Sequence, residues 1–148
     1  MQHGTIEKLI ATNYTLFALQ SAYPEKIINS FRYFSRTGRA AYIWEDTLGL
    51  SRLEATHISL PNTETPQQLL NYIQNSRHFG IYLLKGFNKF LQNEELQFTM
   101  KQLSDKNSET IQKSVILLDD TFNLPENLLN RFLMAQEPSA LIKSLQRK

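Results

Sequence analysis

The chain is 148 residues long and carries 16 Lys and Arg against 14 Asp and Glu, a formal charge of +2, and that length predicts a single domain over residues 1–148 that folds without staples. It has no cysteine, which excludes a disulfide framework, a thiolate metal site and a Cys nucleophile. Its charges are spread along the chain and its apolar runs fall short of the ~20 residues of a membrane span, so the expectation is a cytoplasmic protein with neither nucleic-acid nor membrane partners.

In chain order, the run from Tyr14 to Leu19 predicts a first strand. Pro24 suits the first position of a helix and Glu25 the positive end of its dipole. Ile27, Ile28, Phe31 and Phe34 then fall on one stripe, and Gly38 can end the turn beyond. Ala40 to Trp44 is the second strand, and Glu54 to Thr65 reads as the one long loop. Thr65 to Gln68 forms a capping box with Pro66 at the first helical position, after which Leu69, Leu70 and Ile73 supply a buried face. Gly80 to Leu84 is the third strand.

From Asn88 to Lys106 the spacing is less regular. Phe90 and Leu91 precede Leu96, Met100 and Leu103, and Asn93 with Glu94 and Glu95 can restart a helix, so two helical pieces are predicted. Ser114 to Leu118 is the fourth strand. Pro125 opens a short helix carrying Leu128 and Leu129, Phe132 to Ala135 is a fifth, edge strand, and a last helix begins at Pro138 with Leu141, Ile142 and Leu145 on one face. The second to fourth runs are continuous, as in strands buried on both faces. The fold class expected is therefore α/β, a three-layer α/β/α sandwich around a mostly parallel sheet of about five strands.

Three segments carry a family resemblance. They are Phe79-Gly80-Ile81-Tyr82-Leu83-Leu84-Lys85-Gly86-Phe87-Asn88-Lys89-Phe90-Leu91, Lys113-Ser114-Val115-Ile116-Leu117-Leu118 and Leu124-Pro125-Glu126-Asn127-Leu128. Together they resemble the region ahead of the ATPase module in AAA-type ATPases of plastid genomes and cyanobacteria. The Tyr14 strand with Pro24-Glu25, and Ala41-Tyr42-Ile43-Trp44 with Leu48-Gly49-Leu50, extend the likeness over most of residues 5 to 140. The resemblance implies a P-loop NTPase-like fold in degenerate form. The chain departs from the family pattern by stopping at Lys148, where the ATPase module would follow.

A phosphate-gripping loop needs the arrangement G-x-x-x-x-G-K-[ST], and the chain contains none. Between the first strand and first helix it reads Gln20-Ser21-Ala22-Tyr23-Pro24, without glycine and with a proline where an amide donor would be wanted. After Gly80 to Leu84, where a Walker-B strand ends in acids, stand Lys85 and Gly86, and a lysine cannot hold magnesium. Asp119 and Asp120 follow the fourth strand and Glu45 and Asp46 the second, which places all four on one sheet edge as a candidate ligand edge. The bland reading, that Asp119 and Asp120 cap the following turn or sit solvated at the carboxyl end of the strand, is preferred.

Arg32, Arg36 and Arg39 form a basic stretch that could meet an acidic partner, although a solvated face is the commoner outcome of such spacing. His3, His57 and His78 lack metal-ligand spacing and are expected at the surface. No serine lies in a G-x-S-x-G elbow, and Tyr42, Trp44, Phe87 and Phe90 read as core. The function expected is a non-catalytic, AAA-like module without cofactor or metal, which binds a separately supplied AAA-type ATPase or its own kind. The alternative is a nucleotide- or metal-binding protein or enzyme that uses the four carboxylates.

Overall fold

Apolar runs alternating with helical stripes build a sheet that carries described helices on both faces. The computed structural model describes residues 14–35, 40–106 and 113–135. In chain order the elements are β1 (Leu16–Gln20), α1 (Pro24–Ser35), β2 (Ala41–Glu45), β3 (Gly49–Arg52), α2 (Pro66–Asn75) and β4 (Gly80–Lys85). A 3-10 turn (Phe87–Phe90), α3 (Glu94–Lys106), β5 (Lys113–Asp119), α4 (Glu126–Leu129) and β6 (Phe132–Ala135) follow. The helix expected from Pro138, and Gly38, Arg36 and Arg39, lie outside the described residues.

The described strands form a six-stranded sheet in the order β3-β2-β4-β5-β1-β6. All neighbours are parallel except the β2–β3 hairpin. The sequence expectation of about five strands thus gains one, β3. Its four residues, GLSR, contain too short an apolar pattern to announce a strand, and its pairing is set by a turn instead. In that turn Thr47 has φ 66° and Gly49 φ 91°. Gly49 is needed there twice over, because φ is left-handed and a Cβ would come within 3.0 Å of Thr63 Oγ1.

The loop between β3 and α2 is irregular but fastened. The Leu50 amide donates to Thr63 Oγ1 at 2.9 Å and the Trp44 indole Nε1 donates to the Thr63 carbonyl at 2.7 Å. Thr63 is wholly buried, so the loop is anchored to the hairpin by bonds that water does not weaken. At its end the Thr65 capping box forms as expected, with both reciprocal bonds at 3.2 Å.

Strand order decides which helix covers which face. The β1-to-β2 connection runs across the sheet in one direction, and the later helical connections run in the other. Since crossovers share one hand, α1 must lie on one face and the later helices on the opposite one. The core divides accordingly. Ile27, Ile28 and Phe31 of α1 pack with Phe17, Leu19, Ile43, Leu83 and Ile116. On the other face Leu69, Leu70 and Ile73 of α2, Phe87, Leu91 and the α3 residues Leu96, Met100 and Leu103 pack with Trp44, Tyr82, Val115 and Leu117. No described helix is long and apolar enough to cross a membrane.

Candidate functional site

The carboxyl ends of the parallel strands form the edge at which open α/β sheets take their ligands. Register sets what stands there: Glu45 opposite Lys85, Lys85 opposite Leu118, and Gln20 opposite Asp119. Strand periodicity then sorts the side chains. Glu45 and Lys85 are in phase with Ile43 and Leu83 and project to the α1 face, whereas Asp119 is in phase with Leu117 and projects to the opposite face.

On the α1 face, Lys85 Nζ lies 2.9 Å from Glu25 Oε1 and 3.2 Å from Glu45 Oε1. The ammonium therefore joins the ends of β2 and β4 to the first turn of α1. The hydrogen bond to Glu25 is the main cause of a raised Lys85 pKa, with Glu45 adding to it against the opposing effect of burial. Glu25 also meets the positive end of the α1 dipole, the position an anionic ligand would otherwise use.

On the opposite face, Asp119 Oδ2 accepts the Asn88 amide and Oδ1 accepts the Asp120 amide, both at 3.2 Å. It ties the end of β5 to the 3-10 turn after β4, a turn that precedes the strand, whereas the sequence pattern places its cap on the turn that follows. Asp120 is exposed, and its carbonyl accepts Gln20 Nε2 at 2.8 Å. Asp46 pairs with Lys89 at 3.4 Å. The four carboxylates share an edge but belong to separate local contacts on two faces. Among the described residues no three His, Asp or Glu side chains converge as a metal would require.

The turn from β1 to α1 is already laced to its surroundings. The Ser21 amide donates to the Asp119 carbonyl at 2.9 Å and the Tyr23 amide to Ser21 Oγ at 3.0 Å. Pro24, at the start of α1, has no amide hydrogen to offer. Tyr23 itself projects outward, 68% exposed.

Arg32, in the last turn of α1, turns toward the hairpin, with Nε donating to the Leu53 carbonyl at 3.4 Å and Nη1 to Asn29 Oδ1. His57 and His78 are exposed. Trp44 and Phe87 are fully buried, with Tyr42 and Phe90 packed beside them. What sequence reasoning missed is the Glu25–Lys85–Glu45 group. The wrong charge at Lys85 was the available signal, but Glu25 is 60 residues away and only the strand order brings the two together.

No curated protein and no solved structure shows a match to the chain. The family described as "SpoVK-like AAA ATPase, N-terminal domain" matches residues 2–136. The chain belongs to this N-terminal domain family of AAA ATPases, one whose place in an AAA protein suggests a regulatory or interaction module.

Proposed function

We propose that this chain is a non-catalytic module, a degenerate P-loop fold that binds protein and regulates an AAA-type ATPase or associates with its own kind. The finer likeness to the AAA ATPases of plastid genomes and cyanobacteria is part of this reading. The observation that carries it is the β1–α1 turn: the amides of Ser21 and Tyr23 are accepted within the chain and Pro24 has none. A triphosphate needs a cradle of free backbone amides at that junction. The Glu25–Lys85 ion pair supports the same reading, since it puts a carboxylate at the helix end where a phosphate would lie.

Two measurements test the proposal. Thermal shift with ATP and magnesium is expected to show no stabilisation, whereas a nucleotide at 100 times its dissociation constant would add about 2.7 kcal/mol. Adding the chain to a SpoVK-like AAA ATPase module is expected to change the hydrolysis rate of that module while the chain alone hydrolyses nothing. Hydrolysis by the chain alone, lost in Asp119→Ala, would overturn it in favour of the nucleotide-dependent alternative.

A further inference from the structure

While Leu69, Leu70 and Ile73 bury one side of α2, its solvent side carries side-chain amides. Gln68, Asn71, Tyr72 and Asn75 recur at helical spacing and form one stripe of about 10 Å. With Asn62 of the loop before α2 and Arg77 of the loop after it, they line an open cavity of about 600 Å³. No Asp or Glu lines it, and Arg77 is its one permanent charge.

Hydrogen bonds inside the chain fix which way these amides point. The Thr65 amide can only donate, so the Gln68 atom that receives it at 3.2 Å is Oε1, and the Gln68 NH2 is left over. Thr99 Oγ1 gives its own proton to the Glu95 carbonyl, so Gln67 must present its NH2 to Thr99. The same NH2 reaches Asn71 Oδ1 at 3.0 Å, which leaves the Asn71 NH2 over as well. Among the described residues the side-chain amides of Asn62 and Asn75 and the Arg77 guanidinium have no hydrogen bond or ion pair. The cavity wall therefore holds spare donors and one uncompensated positive charge. Arg52, which acts on Tyr72 from β3, is paired with Glu54 and leaves that count unchanged.

Such a wall is satisfied by a row of acceptors with one negative charge at its end. A carboxamide has the polar groups of a peptide unit, so it bonds to an extended backbone whatever the sequence, and the stripe is as long as about three extended residues. Arg77 then selects among sequences, because its planar fork matches a carboxylate. A lone guanidinium beside the negative end of the α2 dipole suits a single negative charge better than the near-double charge of a phosphate. From this arrangement we infer that the α2 cavity docks an extended acidic segment of a partner protein. The backbone of that segment runs along Gln68, Asn71 and Asn75, and a Glu or Asp carboxylate sits on Arg77. The inference rests on the reading of the chain as a protein-binding module and names the surface and the partner chemistry for it.

The test is fluorescence anisotropy of the full chain with three labelled peptides in which threonine, a residue that favours extended backbone, alternates with glutamate, glutamine or phosphoserine. The glutamate peptide is expected to bind at least about ten-fold tighter than the glutamine peptide, a difference of ~1.4 kcal/mol, and tighter than the phosphoserine peptide. Arg77→Gln is expected to reduce the preference for glutamate over glutamine to about two-fold or less. Asn75→Ala, which removes a backbone contact, should weaken both of those peptides alike, by about three-fold or more. Both positions are exposed, so the melting temperature of each variant should stay near that of the parent. Equal affinity for glutamate and glutamine, tighter binding of phosphoserine, no binding by any peptide, or a preference undiminished in folded Arg77→Gln would overturn the site. This readout involves no ATPase. Glutamate-peptide binding through Arg77 with an ATPase that the chain leaves unaffected would sink the regulatory reading alone, and an ATPase regulated by a chain that shows no peptide preference would sink the site alone.

Discussion

The two faces of the sheet are built from the same strands and differ in what covers them. One is packed by α2, the 3-10 turn, α3 and α4, and encloses Trp44, Tyr82 and Phe87. Among the described residues the other is covered by α1, and beside that helix a groove remains open to solvent. Chain direction is the cause: a single crossover runs one way and the rest return the other way, and handedness sends their helices to opposite faces. The ionic group Glu25–Lys85–Glu45 lies on the second face and the Asp119 cap on the first, so even the shared edge divides the same way.

The largest effect that can break this contrast comes from Trp44→Ala. Trp44 is fully buried, meets Phe87 and Phe90 edge-on and donates to Thr63, so its truncation is expected to cost about 3–5 kcal/mol in urea denaturation. Ile28→Ala on the groove side should cost about 2–3 kcal/mol, because the opening there limits the cavity left behind. An Ile28→Ala loss of about 4–5 kcal/mol, the upper end for a closed core, would mean that the groove side is as tightly packed as the other.

Alkaline titration sharpens the contrast next. Tyr82 stacks on Tyr42 with ring centroids 4.9 Å apart, and burial pushes its hydroxyl up to about 12 from an ordinary 10.0. The folded chain keeps this proton where the unfolded chain has lost it. The contribution is therefore fully present below pH 10 and disappears as the pH rises toward 12, about 2–3 kcal/mol in all. In Tyr82→Phe that part of the alkaline fall should vanish from denaturation curves taken across the same range.

Gly80→Ala addresses the same ring. A Cβ at Gly80 would stand 2.8 Å from the Tyr82 hydroxyl oxygen, and displacing a packed ring is expected to cost about 1–3 kcal/mol. The smallest effect belongs to the light face. Lys85→Met removes ion pairs whose lysine is a third exposed and whose carboxylates are more so, and should cost under about 1 kcal/mol. A larger loss on thermal melting would show that this group holds α1 to the sheet.

Much of the fold was legible because its signals are local. Apolar runs, the Thr65 capping box and the restart at Asn93 depend on neighbours a few residues away, and each appears where its pattern placed it. The strand β3 was not legible, since its four residues carry little pattern and its partner is chosen by the Thr47–Gly49 turn and the Thr63 anchor. The candidate edge was half legible. Register put Glu45 and Asp119 on one sheet edge, at the ends of β2 and β5 with β4 between them, but phase along each strand sent them to opposite faces.

By itself the sequence determined the described helices, five of the six described strands, that the sheet is buried on both sides, and that no glycine stands between β1 and α1. Tertiary structure alone decided the strand order, which face each described helix covers and the meeting of Glu25 with Lys85 across 60 residues. The physical reason is range: backbone propensity and side-chain period act over a few residues, whereas contacts between distant segments exist only once the crossovers have fixed which strands are neighbours.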